Sequence, residues 1–495
     1  MSTPQQQTRP VVVIGAGPIG LAAAAHLIER GLDPLVLEAG PAAGAAIREW
    51  GHVRLFSPWE YDTDAAARRL LEPTGWTAPP AGELPTGAEL VDAYLAPLAA
   101  TEQLAPRIRT NTRVIAVARR GVDKTRTIDR DTHPLFVRVA GADGRVEDIE
   151  AAAVIDASGT WGRANPLGES GLLAPGEVEA APYIAGALPD VPGRDRDRLA
   201  GRHTLVVGMG HSAANTLLSL VELADAEPGT RITWVVRGAS VARLYGGGDA
   251  DGLPARGALG SRVKQAVEAG AITLVRNFTI TGFAPAEQGV TVAGTTPDGR
   301  REITVDTVVA ATGFRPDPDM LREVRVELDP GTEAPVKLAP MIDPNFHSCG
   351  TVPPHGEREL AHPETDFYIV GMKSYGRAPT FLMATGYEQV RSIAAALAGD
   401  REAADTVHLE LPETGVCSTN LPGEDEAGGG CGSTCAPEPV VEEASCCGTP
   451  AAEPEPVAAS CCGTPAPEPV TIGAGVGFAT GRVHGYSGDA ERADA

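Results

Sequence analysis

The pattern Gly-x-Gly-x-x-Gly/Ala occurs twice in this chain of 495 residues, each time where a strand signal gives way to a helical one. The first copy is Gly15-Ala16-Gly17-Pro18-Ile19-Gly20, directly after the apolar run Val11-Val12-Val13-Ile14. The second is Gly208-Met209-Gly210-His211-Ser212-Ala213, after Thr204-Leu205-Val206-Val207. A lone copy says little, because glycine punctuates many turns. A buried strand before it and a helix after it supply the context that gives it meaning. The first glycine permits the tight turn, and the second lets backbone approach a pyrophosphate. The third small residue lets helix and strand pack closely, and the helix N-terminus offers free N–H groups and positive dipole. Two such junctions imply two nucleotides, and two nucleotides in one polypeptide suggest electron exchange between redox cofactors.

The two sites are unequal. After the first, a helix over Leu21 to Arg30 leads through Gly31 to the strand Leu35-Val36-Leu37, which ends at Glu38. An acid about 20 residues beyond the glycines bonds ribose hydroxyls and repels a 2′-phosphate, so the first site suits FAD. After the second, the strand Arg231 to Val236 ends at Arg237. A guanidinium there pairs with a 2′-phosphate and favours NADPH over NADH. A solvated arginine at a strand end accounts for the same residue. His211 occupies the turn, and nothing in the sequence gives it a catalytic role.

Length leaves room for two to four domains with a sizeable core. The formal net charge of -24 argues against nucleic acid or an anionic membrane as partner. The first apolar run is short and already used as a cofactor strand, and no run is long enough to span a bilayer. A soluble, cytoplasmic protein is expected, acting on a small molecule or metalloid, with a homodimer left open.

From Val11 to about Pro412 short β-branched runs alternate with alanine-rich helical stretches, the pattern of an α/β protein. Two segments place a strand before a small-residue turn. One is Ala153-Val154-Ile155-Asp156-Ala157-Ser158-Gly159-Thr160, and the other is Val308-Val309-Ala310-Ala311-Thr312-Gly313-Phe314-Arg315-Pro316. At Gly159 and Gly313 backbone can pass close to a bound cofactor.

With both fingerprints and both turns quoted, roughly residues 10–400 resemble the flavoproteins with two dinucleotide-binding domains. These include thioredoxin reductases and flavin-containing and Baeyer–Villiger-type monooxygenases. The resemblance implies two Rossmann-like domains, with an NADPH domain over 195–315 inserted into a FAD domain split between 10–194 and 316–412. Asp366-Phe367-Tyr368-Ile369-Val370-Gly371 would be the last FAD strand, bringing Gly371 to the cofactor. The helix over Thr385 to Ala398 would point its N-terminus at the flavin.

Disulfide reductases of this fold need a cysteine pair beside the flavin, and residues 1–348 contain no cysteine. The segment Trp50-Gly51-His52-Val53-Arg54-Leu55-Phe56-Ser57-Pro58-Trp59 resembles the monooxygenase loop that runs over the flavin towards substrate. That resemblance makes Trp50, Arg54 and Trp59 candidates for the flavin pocket, with core packing an equal reading of the tryptophans. The stretch from Pro85-Thr86-Gly87 to Tyr94-Leu95 is similar to the same group. The F-x-G-x-x-x-H-x-x-x-W/F signature of the main monooxygenase classes is absent from residues 160–202.

Beyond Pro412 the composition changes. Residues 413–495 hold 13 acidic and 2 basic side chains and are rich in Pro, Gly and Ala, which reads as a disordered tail. Seven of the eight cysteines lie there: Cys417, Cys431, Cys435, Cys446, Cys447, Cys461 and Cys462. Ser-Cys-Cys-Gly-Thr-Pro recurs at Ser445 and Ser460. Adjacent thiols on a flexible chain suit capture of a soft ion, which makes Cys446, Cys447, Cys461 and Cys462 candidate metalloid ligands. The alternative is low-complexity drift in a tail without function, against which the repetition of the dithiol speaks.

The remaining cysteine, Cys349, sits in His347-Ser348-Cys349-Gly350-Thr351-Val352-Pro353-Pro354-His355-Gly356. It is a candidate thiolate near the flavin, or else an unreactive buried thiol. This segment, Trp50 to Trp59 and Tyr245 to Gly257 resemble flavoprotein monooxygenases of bacterial arsenic-resistance operons. The resemblance implies a FAD- and NADPH-dependent enzyme acting on, or in response to, arsenicals, and the first expectation is a monooxygenase-like cycle that oxygenates a soft nucleophile. The alternatives are reduction of a thiol-bound metal or disulfide, and a metal-binding or sensing protein with a vestigial flavin domain.

Overall fold

Strand β1 (Val11–Ile14) is buried along its whole length, and that burial fixes its place at the centre of a sheet covered on both faces. In the computed structural model, which describes residues 9–245, 254–346, 352–379 and 381–409, β1 pairs in parallel with β2 (Pro34–Leu37) and, on its other side, with β7 (Ala153–Asp156). Strand β3 (Ile108–Arg109) extends one edge of this sheet, and β16 (Phe367–Ile369) the other, giving the order β16-β7-β1-β2-β3. Chain from beyond residue 360 thus completes a sheet begun at residue 11.

Alternation along β1 sorts its side chains between two cores. Val11 and Val13 face helix α1 (Pro18–Glu29), with Ala22, Ala23, Ala24 and Ala25 fully buried against them. Val12 and Ile14 face a three-stranded antiparallel sheet of β4 (Thr112–Arg119), β5 (Leu135–Gly141) and β6 (Val146–Ala151). The small residues of α1 let it approach the sheet closely.

The second parallel sheet has the order β11-β10-β9-β15-β8. Its strands are β8 (Ile184–Ala185), β9 (His203–Val207), β10 (Arg231–Val235), β11 (Thr273–Val275) and β15 (Thr307–Ala310). Helix α2 (His211–Ala226) covers one face. A second antiparallel meander, of β12 (Thr279–Pro285), β13 (Val290–Thr296) and β14 (Gly299–Val305), covers the other.

The mixed α/β architecture with two parallel sheets is the one expected, but the uniform strand–helix alternation is not. Residues 112–151 and 279–305 carry strands and no α-helix, because Asp143-Gly144 and Pro297-Asp298-Gly299 make tight turns between alternating runs. Strand β8 also joins the second sheet ahead of residue 195, the boundary read from sequence. The chain passes between the sheets as two adjacent segments. Asn165 N donates to Gly313 O at 2.9 Å, and Arg315 N donates to Arg163 O at 3.0 Å. Among the described residues no helix is long and apolar enough to cross a membrane.

Candidate dinucleotide sites and the loop between them

The first fingerprint loop is shaped by two glycines and left open by two others. Gly15 has a φ of +99°, and a Cβ there would lie 2.9 Å from Ala157 O. A Cβ on Gly20 would lie 1.9 Å from Gly15 O, so α1 could not start where it does. Gly17 and Gly159 face no protein atom within 4 Å of an added Cβ, which leaves their backbone free to approach a ligand. Glu38 accepts from Ala16 N at 2.7 Å through one carboxylate oxygen and from Gly40 N at 2.6 Å through the other. Each oxygen keeps a further lone pair for a ribose hydroxyl. Open backbone at a helix N-terminus beside a fixed acid fits an adenine dinucleotide without 2′-phosphate.

Gly371 lies just past β16 with a φ of +67°, and its N–H donates to Gln389 Oε1 at 2.8 Å. Gln389 belongs to helix α3 (Met383–Leu397), which begins two residues ahead of the expected Thr385 and packs Gly386 against Ile19 of α1. The Gln389 amide also reaches His355 Nε2 at 2.9 Å, and burial pushes that imidazole's pKa down and keeps it neutral. Beneath the same turn, Lys373 Nζ donates to Asp156 Oδ2 at 2.7 Å and to Ser158 Oγ at 3.1 Å. This buried ion pair clamps the Ser158–Gly159 turn to the Gly371 turn. Sequence reading missed it, since two residues 217 apart carry no local signal.

The second fingerprint opens into a cleft of about 680 Å³, a volume typical of ligand sites. Gly208, Gly210, His211, Arg237 and Gly313 line it, with Arg377 contributed from beyond β16. Gly208 has a φ of +129°, and a Cβ on it would lie 2.0 Å from Ala311 O, so only glycine fits. Gly210 is open. Ala213 is fully buried in the first turn of α2, where its methyl packs into the core. Arg237 stands exposed two residues past β10, and its side chain has no hydrogen bond or ion pair among the described residues.

Between the two sites runs an aromatic seam. The Trp50 ring lies 6.4 Å from Trp161, which follows the Gly159 turn, and Trp161 lies 4.8 Å from Phe314, which follows Gly313. Phe56 packs 4.9 Å from the His211 ring. Trp50 also packs against Gly87, while Trp59 is buried in the core beneath the first sheet. Arg54 points elsewhere: exposed, it donates to Leu84 O and pairs with Glu89 at 3.7 Å. Trp161 and Phe314 were not singled out from the sequence, although both directly follow the small-residue turns. Cys349, Cys446, Cys447, Cys461 and Cys462 lie outside the described residues.

Two parallel sheets, each with a glycine-rich strand-to-helix turn, meeting across an aromatic seam define a two-nucleotide oxidoreductase. The chain belongs to the pyridine nucleotide-disulphide oxidoreductase family, whose profile matches residues 9–339. It is an enzyme of the FAD- and NAD(P)-dependent kind. None of the curated proteins matches it in sequence. Among solved structures it is similar to the bacillithiol disulfide reductase of Bacillus cereus, with 22% identity over 79% of this chain and 99% of that one, and a TM-score of 0.58. A cadaverine monooxygenase of Erwinia amylovora, solved with FAD, gives 13% identity, 84% and 100% coverage and a TM-score of 0.56. The ornithine N-hydroxylase of Kutzneria sp. 744 gives 16%, 80% and 100%, and 0.53. At these identities the likeness is one of fold.

Proposed function

We propose that the protein is an NADPH-dependent flavoprotein monooxygenase acting on a small thiophilic substrate. One observation carries the choice: residues 1–348, which contain both fingerprints, hold no cysteine to receive electrons. In this reading Glu38, the Gly17 backbone and the N-terminus of α1 hold FAD. Gly210 and the N-terminus of α2 take the pyrophosphate of NADPH, and Arg237 takes its 2′-phosphate. Trp50, Trp161 and Phe314 screen the meeting point of the two cofactors from water. FAD, when bound, supplies hydride acceptance and reactivity with dioxygen. Arsenicals fit the substrate class, on the resemblance of the Trp50–Trp59 loop and the cysteine-rich tail as a capture device.

A second reading is reduction of a thiol-linked substrate, with Cys349 and the paired tail cysteines as carriers. The likeness to bacillithiol disulfide reductases favours it. The experiment follows NADPH consumption with and without oxygen across arsenite, methylated arsenicals, mercuric ion and a low-molecular-weight disulfide. The full chain is compared with one lacking residues 413–495. Oxygen-dependent turnover that survives truncation supports the first reading. Anaerobic turnover that disappears on truncation replaces it with the second.

A further inference from the structure

Asp62 is fully buried, yet one of its carboxylate oxygens has no partner among the described residues. Oδ1 accepts from Ser57 Oγ at 2.7 Å, whereas Oδ2 finds no hydrogen-bond partner among the described residues. The backbone around it is tightly held. The Asp62 carbonyl accepts from Tyr387 OH of α3 at 2.8 Å, and Asp64 N donates to Tyr94 OH at 3.0 Å. Asp64 in turn meets His26 Nε2 of α1 at 3.0 Å. A carboxyl placed in such a frame, with a single hydrogen bond for its side chain, is costly to ionise.

The frame leads to the second nucleotide site. Ser57, whose hydroxyl Asp62 holds, directly follows Phe56, and Phe56 packs on His211 at the start of α2. His211 lines the 680 Å³ cleft beside Gly210. We propose that Asp62 is a positioning residue for the nicotinamide nucleotide: through Ser57 and Phe56 it holds His211 and the second fingerprint in their binding shape. The shape belongs to the neutral carboxyl. Ionised, Asp62 must draw in water or turn outward, and either movement releases Ser57 and loosens Phe56 from His211. Burial pushes the Asp62 carboxyl up to about 7, the Ser57 hydrogen bond offsetting only part of that cost, so the release falls near neutral pH. The other titratable or charged groups facing this frame are Tyr94, Tyr387, Asp64 and His26, with Arg68 acting on Tyr94, Arg69 on Asp64, and His211 beyond Phe56.

This inference rests on the second fingerprint being the NADPH site. The test is calorimetric binding of NADP⁺ to the FAD-loaded full chain between pH 6 and 9, in the wild type and in Asp62→Asn, Ser57→Ala, Phe56→Ala and His211→Asn. In the wild type the Kd is expected to rise several-fold as pH passes through 7. Asp62→Asn is expected to remove that rise and to keep the low-pH affinity, while FAD content stays unchanged. Ser57→Ala should uncouple affinity from the same step, and Phe56→Ala should bind weakly at every pH. His211→Asn should retain the step, which separates Asp62 from the imidazole and from the ligand's own phosphate. An Asp62→Asn protein with the wild-type pH profile overturns the inference. So does a Phe56→Ala protein that binds as the wild type does. Absence of NADP⁺ binding in the wild type at every pH would instead overturn the assignment of the site.

Discussion

The Arg237 guanidinium stands at the cleft mouth without an ion-pair partner among the described residues, so its charge is available to a 2′-phosphate. A charge-assisted contact of that kind is worth about 1.5–3 kcal/mol. Arg237→Glu should therefore raise the KM for NADPH roughly ten- to hundredfold and leave that for NADH little changed. Steady-state kinetics with both nucleotides checks this, and an unchanged preference contradicts the role. Asp62 gives a second prediction. The folded chain keeps its proton up to about pH 7, whereas the unfolded chain releases it in the ordinary carboxylate range near pH 4. Stability therefore falls as pH rises across that window and levels off above it. Asp62→Asn lacks this loss, so in denaturant melts its stability relative to wild type should be higher at pH 8 than at pH 5, by roughly 2–4 kcal/mol. An equal difference at both pH values contradicts it. Glu38 and Arg237 were both singled out by their distance beyond a glycine motif. Asp62 was not, because an aspartate in a polar segment carries no mark of the burial that raises its pKa.

At the scale of elements, the turns do different work with similar sequences. Gly20 permits α1 to cross Gly15, while Gly17 leaves space beside the loop. Gly20→Ala should cost about 1–3 kcal/mol as the helix shifts and should lower the FAD content of the purified protein. Denaturant melts and the flavin absorbance per chain measure both effects, and full FAD occupancy would contradict the assignment. The Lys373–Asp156 pair joins the turns after β7 and β16. Lys373→Met leaves a buried carboxylate without its cation and should cost about 3–5 kcal/mol, recovered in part by adding Asp156→Asn. Additive losses in urea denaturation would deny the coupling. Strands β1, β2, β7, β9, β10 and β15 were readable because buried parallel strands are continuous apolar runs. The meanders were overlooked even though their Asp-Gly turns are present in the sequence. The alternation of β13, buried at Val290 and Val292, was also there to read. Arg54 shows a placement that the sequence did not indicate. The loop resemblance brought it towards the flavin, and the structure ties it to Leu84 and Glu89 at the surface.

At the scale of the whole molecule, one parallel sheet is interrupted by another, and the chain crosses between them along the paired segments at Asn165 and Gly313. The crossing places Trp161 and Phe314 side by side where the two nucleotide turns converge. Sequence periodicity reports elements and their faces but not which two turns meet, so the seam emerges only from the assembled fold. The central claim is that electrons pass from NADPH through FAD to dioxygen and not to a thiol. Its most direct test is an oxygen-electrode measurement on the FAD-loaded chain truncated after residue 412, with NADPH and a trivalent arsenical supplied. The expected result is dioxygen uptake in step with NADPH oxidation, at about one molecule each, and no NADPH oxidation once oxygen is removed. NADPH oxidation that proceeds without oxygen in the full chain and is lost in the truncated one would contradict the claim.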